Sequence, residues 1–303
     1  MSQEQTSDPN TTAPTWYTRG YNRLDEEQVR METAGEPGRF YIKAGMSKFV
    51  TFLEDEPFQV REHEFKGADG KFGSHLTCAM GIYGSEENPP PCCEKLGLKH
   101  ANLLSFFSVI DIDGYKGKRG NQTYILSVYA AKYQTARMLQ RERQDETTLI
   151  GRRARLSRDG DKSANVGNQI KLVDWETKTG QRTRTLSEQQ WRALYGIVTF
   201  RGKKLVDLLA LAEKEPLKRV ALGKIFDLKP ITDPDTQKFI PGKIPCFNWM
   251  EILAPKTPKD QKILLHGASA SSFEDDDEKE KEKGSTDAGH SDTSHPPTDG
   301  APF

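Results

Sequence analysis

Three of the chain's four cysteines and three of its six histidines fall between Arg61 and Asp113. The stretch reads REHEFKGADGKFGSHLTCAMGIYGSEENPPPCCEKLGLKHANLLSFFSVIDID. Thiolate and imidazole are the donors a tetrahedral zinc ion prefers, so the cluster predicts a clip with four protein ligands. The candidates are His63, His75, Cys78, Cys92, Cys93 and His100. His63, Cys78 and Cys93 lead, and Cys92 competes with His75 for the fourth place. His75 stands three residues before Cys78, a short chelating spacing. Cys92 and Cys93 are adjacent, and in extended backbone their side chains would point to opposite faces. The three prolines before Cys92 offer a turn that relieves this conflict. The competing reading is a loop with two buried thiols and surface histidines.

A catalytic metal finds less support. The zinc-deaminase pattern needs H-x-E and P-C-x-x-C. Here Glu64 directly follows His63, and Cys92-Cys93 has no second spaced cysteine. A phosphate-cradling loop, a dinucleotide fingerprint, a nucleophile elbow and an H-E-x-x-H helix are all missing from the sequence. The expectation is a chain that is not an enzyme.

The elements that must position the cluster read mainly as strands. RFYIKAG, KFVTFLEDE and Phe58–Arg61 alternate apolar and polar residues with period two. Ser105–Asp113 and Asn121–Ala131 flank a glycine-rich basic loop, Gly114–Gly120. Lys132–Glu146 reads as a helix, and Leu149–Trp175 as two strands around an Asp-Gly turn. Ser187 with Gln190 forms a capping box that opens a helical part, and Ile244–Leu253 reads as a last strand. Short strands with one helix among them predict a mainly β, α+β fold: a small barrel with insertions.

Charge divides the chain. The last 37 residues hold ten carboxylates and three lysines. Overall the chain has 44 basic and 44 acidic residues, so the remainder is left with seven excess positive charges. A basic body with an acidic tail fits nucleic-acid binding, or a solvated body with a solubilising tail. No apolar run is long enough to span a membrane, and the cysteine usage suits a reducing cytoplasm. The organisation expected is a flexible arm over 1–38, a core over 39–266 and a disordered acidic tail over 267–303. The core would carry a metal-bearing insertion at about 61–104 and a helical extension at about 186–253.

The succession TFLEDEPF, EHEF, LTC, PPPCCEKLG and FFSVID, followed by GRRARLSRDGDKSANVGNQI, resembles the zinc-containing single-stranded DNA-binding proteins of tailed bacteriophages. It covers about Arg39–Val173. The resemblance implies an OB-fold-like β-barrel with a zinc-binding insertion. It also implies zinc ligation by His63, Cys78 and Cys93. Pro90 holds the place of that family's first C-P-x-C cysteine, and Cys92 is its substitute. The implied role is sequence-independent binding of single-stranded DNA in phage replication, recombination and repair, in the cytoplasm of an infected bacterial host.

Such binding needs a basic groove for phosphates and exposed aromatics for base stacking. The aromatic candidates are Tyr41, Phe52, Phe106, Tyr124, Tyr129 and Tyr133. Alternation lets only about half of them face outward. The cationic candidates are Lys116, Lys118, Arg119, Lys132, Arg152, Arg153, Arg155, Arg158 and Lys162. Arg153 and Arg155, separated by Ala154, share a face of a strand.

The chain ends TDGAPF, and Pro302-Phe303 after an acidic tail resembles the C-terminal tip of bacterial single-strand-binding proteins. That likeness implies docking to replication and recombination partners. The acidic tail could also cover the basic groove in place of DNA, and the arm could support cooperative self-association. The reading from a different class is a zinc-stapled protein-interaction scaffold that binds no DNA.

Overall fold

The computed structural model describes residues 37–67, 73–116, 122–146, 148–176, 180–266 and 269–270. The N-terminal arm and the acidic tail, with Pro302 and Phe303, lie outside the described residues, as do Lys118 and Arg119.

The fold is mixed α+β and is built around one strand. β1 (Ser47–Phe52), β2 (Phe58–Lys66) and β3 (Ser74–Thr77) precede β4 (Ala101–Lys116), which runs for 16 residues. β4 pairs along one edge with β5 (Gln122–Lys132). Its other edge is shared: Ala101–Phe106 pair with β2 and Val109–Asp111 with β1, both antiparallel. β6 (Arg153–Ser157) and β7 (Gln169–Val173) extend the sheet beyond β1. A bulge near the end of β4 forms where Asp111 accepts the Gly114 N–H at 3.0 Å. Gly114 has φ +38°, and a Cβ there would lie 1.8 Å from the Thr123 carbonyl oxygen, so only glycine fits.

The expected closed barrel is not formed by the described residues. Closure would need the free edge of β5, and two other segments occupy it. β10 (Val198–Phe200) pairs in parallel with Tyr124 and Ile125. Gly38–Phe40 exchange hydrogen bonds with Val128 further along. β11 (Lys203–Lys204) follows β10, leaving the sheet open at β11 and β7. A separate small ladder joins β8 (Trp175–Glu176) to β9 (Arg182–Thr183).

Alternation on β4 and β5 feeds two cores. Phe107, Val109, Tyr129 and Ala131 join Phe40, Ile42, Val50 and Phe52 on one face, capped by Leu139 of α2 (Tyr133–Glu146). Leu104, Phe106, Ile110, Leu126 and Val128 face the other way. That second face is covered by the C-terminal helices. α3 (Glu188–Tyr195) opens with the expected capping box, and α4 (Leu205–Lys214) buries Leu205, Leu209 and Ala212. α5 (Pro216–Gly223) and α6 (Trp249–Ile252) complete the cover.

Ile244–Leu253 is therefore not a last strand. Trp249 turns into a short helix, its indole N–H donating to Glu54 Oε1 at 2.8 Å. Phe226 and Phe247 pair through an isolated bridge and stack their rings, with centroids 5.7 Å apart. The third core belongs to the lobe that carries the clustered cysteines, where α1 (Pro91–Leu96) packs on β2 and β3 beside α7 (Pro258–Leu264). β12 (Ser269–Ala270) then pairs with Lys66 and Phe65 of β2. Among the described residues no helix is long and apolar enough to cross a membrane.

Candidate metal centre and nucleic-acid face

His63, Cys78, Cys92 and Cys93 form a group that could hold a metal ion. Strand parity supplies the first two ligands. His63 lies on the inner face of β2, and Cys78 follows β3 with its N–H on the Arg61 carbonyl at 2.8 Å. That pairing places Cys78 on the same face as His63. α1 supplies the other two. Pro91 occupies the first helical turn, and the Cys93 N–H reaches the Pro90 carbonyl at 2.9 Å. Successive residues on a helix are about 100° apart, so both neighbouring thiols can point inward. The helix removes the conflict expected of an extended Cys-Cys pair.

Cys93 Sγ is the hub. It lies 3.4 Å from Cys78 Sγ, 3.8 Å from Cys92 Sγ and 3.5 Å from His63 Nε2. All four ligand atoms fall within 4.8 Å of one another. Tetrahedral coordination, with metal–sulfur bonds of about 2.3 Å and metal–nitrogen bonds of about 2.0 Å, sets S···S near 3.8 Å and S···N near 3.5 Å. The donor set fits such an ion.

The electrostatics agree. Burial pushes the Cys92 and Cys93 thiols up, and for Cys93 the two neighbouring cysteines add to it. Burial, helped by His100, pushes His63 down to about 4, so its imidazole is neutral and able to ligate at neutral pH. A cation entering here must displace thiol protons. Among the described residues the buried His63 Nδ1 has no hydrogen-bond partner, and packing holds the ring.

His75 is outside the group. It pairs with Glu64, one residue from Leu76, which faces His63, and so it lies on the opposite face of the hairpin. There its Nδ1 is 3.4 Å from Glu62, whose other oxygen meets Arg39 at 2.6 Å. Burial alone would raise the Glu62 carboxyl, but His75 and Arg39 together hold it below its ordinary value. Gln261 is a residue the sequence pattern did not mark. Fully buried on α7, it accepts the Cys92 N–H at 3.0 Å, and nearby the Lys95 ammonium donates to the Leu265 carbonyl.

Several residues expected at a DNA surface lie elsewhere. Phe52, Phe106 and Tyr129 are 0% exposed, because the alternation of β1, β4 and β5 points them into the two cores. They are not stacking platforms. Arg152 is buried. Arg158 is buried too, its guanidinium donating to the Ile42, Gly160 and Asp161 carbonyls and the Tyr41 hydroxyl. It pins a loop and has little left for phosphate. Tyr124 is half-buried against the helical cover. Tyr41, Tyr133, Lys132 and Lys162 are exposed. For Lys116 only the backbone, at the end of β4, is described.

Arg153 and Arg155 do share an outward face of β6, and the structure adds three neighbours to them. Phe49 of β1 pairs with Arg155, and Lys171 of β7 pairs with Arg155 from the other side. The Arg153 guanidinium lies 4.0 Å above the Phe49 ring and 5.6 Å from Trp175. The Trp175 indole is anchored by its N–H on the Gly151 carbonyl at 2.8 Å. Parity with Arg153 and Arg155 was the signal that could have found Phe49. Asp113 bounds the patch, accepting the Phe49 N–H at 2.6 Å. Comparison with known proteins adds nothing to this geometry: no family model, no curated protein and no solved structure matches the chain.

Proposed function

We propose that the chain is a non-enzymatic protein that binds single-stranded DNA without regard to sequence. The observation that carries the reading is the outward face of β1, β6 and β7. It presents Arg153, Arg155 and Lys171 around the rings of Phe49 and Trp175, next to a sheet half closed by helices. Aromatic faces interleaved with cations are what sequence-tolerant strand binding requires: stacking contributes about 1–3 kcal/mol per base and the cations follow the phosphates. The resemblance to phage single-strand-binding proteins supports the same role in phage DNA replication, recombination and repair. It also supports recruitment of partners through the acidic tail.

The ion we propose is zinc. Three thiolates and one imidazole are a soft donor set, and four protein ligands leave no open coordination position, the mark of a structural site. His63, Cys78, Cys92 and Cys93 would hold it, and its contribution would be to fix α1 against the β2–β3 hairpin.

Titration of the full chain with oligo-dT, followed by tryptophan fluorescence at low and high salt, tests the function. Stacking on Trp175 quenches its emission, and raised salt releases the strand. No quenching at low salt defeats DNA binding and leaves the metal-stapled scaffold.

A further inference from the structure

The three clustered cysteines are not equally sheltered. An open groove of about 800 Å³ lies against their lobe, and Cys78 forms part of its wall beside Thr77, Met80 and Leu98. Of the three, only Cys78 is among the groove's described lining residues. It is 8% exposed, whereas Cys92 is 0% exposed. Reaction of a thiol with a small solute needs access as well as charge. A solute diffusing into the groove therefore meets sulfur first at Cys78. The fourth cysteine, Cys246, lies apart from the cluster, 3.5 Å from the Leu53 carbonyl oxygen.

Cys78 also has a partner within reach. Cys93 Sγ is 3.4 Å away, and a disulfide has an S–S length of about 2.05 Å, so the two sulfurs need to close by roughly 1.4 Å. Cys92 is the poorer partner. Its sulfur lies 3.8 Å from Cys93. A bond between these neighbours would close a small ring through the planar trans peptide that joins them, and would break the first turn of α1. The Cys92 backbone is also tied down, its N–H donating to the buried Gln261 at 3.0 Å.

We propose that Cys78 and Cys93 are a redox pair, oxidised by hydroperoxides that enter the groove, and that their oxidation empties the metal centre. The Cys78 thiolate attacks the peroxide and breaks its O–O bond; the sulfur becomes a sulfenic acid and hydroxide leaves. The Cys93 thiolate then displaces the second hydroxide as the S–S bond forms. Two electrons pass from the two sulfurs to the peroxide, which ends as two hydroxides. Two of the four donors are then gone, and His63 with Cys92 is too small a set for a tetrahedral structural site. The new bond ties the end of β3 to α1, so the lobe keeps one link between the parts that the ion joined. A dithiol reverses the step by exchange. The release of the ion rests on the zinc reading above, and the choice of pair rests on the sulfur geometry.

The test uses the full chain as purified, assayed first for bound metal. Hydrogen peroxide is added with a zinc-chelating dye. The chain is then unfolded, its free thiols are alkylated with iodoacetamide, and it is cut with glutamyl endopeptidase. Cleavage at Glu86 and Glu87 separates Cys78 from Cys92-Cys93, so mass spectrometry reads the linkage. The expected result is one ion released per disulfide formed, a Cys78 fragment bonded through Cys93, and an alkylated Cys92. Dimedone added with the peroxide is expected to trap the sulfenic acid on Cys78. Cys92→Ser, which keeps both members of the pair, should still form the disulfide, and Cys78→Ser should not; the linkage in the parent chain decides the matter if either variant fails to fold. An ion present at the start defeats this proposal alone, and leaves the zinc reading standing, if no disulfide forms, if another pair is joined, if dimedone marks Cys92 or Cys93, or if the ion stays bound after the disulfide has formed. No ion before peroxide defeats the zinc reading and this proposal with it.

Discussion

Replacing Arg153, Arg155 and Lys171 together by alanine should change how DNA affinity depends on salt. Each cation that neutralises a phosphate on a single strand contributes about −0.7 to the slope of log K against log salt. Arg155 and Lys171 are cross-strand partners, and Arg153 lies two residues along the same face. Three such contacts amount to roughly 2 in slope, so a tenfold rise in salt should cost the parent chain about two decades more affinity than the variant. The cost to the fold should be small: the packing lost among the described residues is chiefly the Arg153 stack on Phe49 and Trp175, about 1 kcal/mol at a half-buried site. Denaturant unfolding checks that this holds. Fluorescence anisotropy of a labelled oligo-dT across a salt series gives the slopes. Trp175→Ala is the complementary variant: it should lower affinity by about 1–3 kcal/mol at every salt concentration and leave the slope alone. Parallel lines for the parent chain and the triple variant would refute the placement of the DNA on β1, β6 and β7.

Metal analysis of purified chain should find one ion per molecule, retained in His75→Ala and lost in Cys93→Ala, since Cys93 touches all three other ligands while His75 lies on the far face of the hairpin. Retention in Cys93→Ala would place the ion elsewhere. Phe52→Ala and Phe106→Ala should each destabilise the fold by about 3–5 kcal/mol, measured by urea unfolding. A loss well under that range would mean these rings are not in the cores. Burial raises the Glu54 carboxyl above 4.5, outweighing the N–H groups of Ser108 and Trp249 that favour its charged form. The folded state then holds the proton more tightly, so stability should fall as pH rises from 4.5 through the folded value. Glu54→Gln should flatten that part of the curve, and a wild-type curve of the same shape as the variant's would contradict it.

Much of the sheet was legible in period-two alternation. β1, β2, β4, β5, β6 and β7 fall where the pattern puts them, and the Ser187 capping box opens α3. Alternation could not say which face of β4 and β5 was wet, because neither is: Phe106 and Phe107 are both buried, one in each core. That is why half of the expected stacking aromatics turned out to be core residues. Nor could local pattern show that β10 and Gly38–Phe40 take the edge of β5 that a barrel would have needed. At the metal group, donor type was plain in the sequence. Pairing register excluded His75 and a helix reconciled Cys92 with Cys93, and both are tertiary facts. The part played by Gln261 was invisible, since 169 residues separate it from Cys92.

That last separation also bears on how the protein is made. A ribosome releases His63, Cys78, Cys92 and Cys93 long before it releases α7 and β12, the elements that brace their lobe. During synthesis the lobe lacks its brace along one flank, and its thiols are open to oxidation, until residues 258–270, close to nine-tenths of the way along the chain, have emerged. Contacts of such large sequence separation close late and slowly. Early capture of an ion would therefore act as a placeholder, keeping β2, β3 and α1 in register until the C-terminal brace arrives.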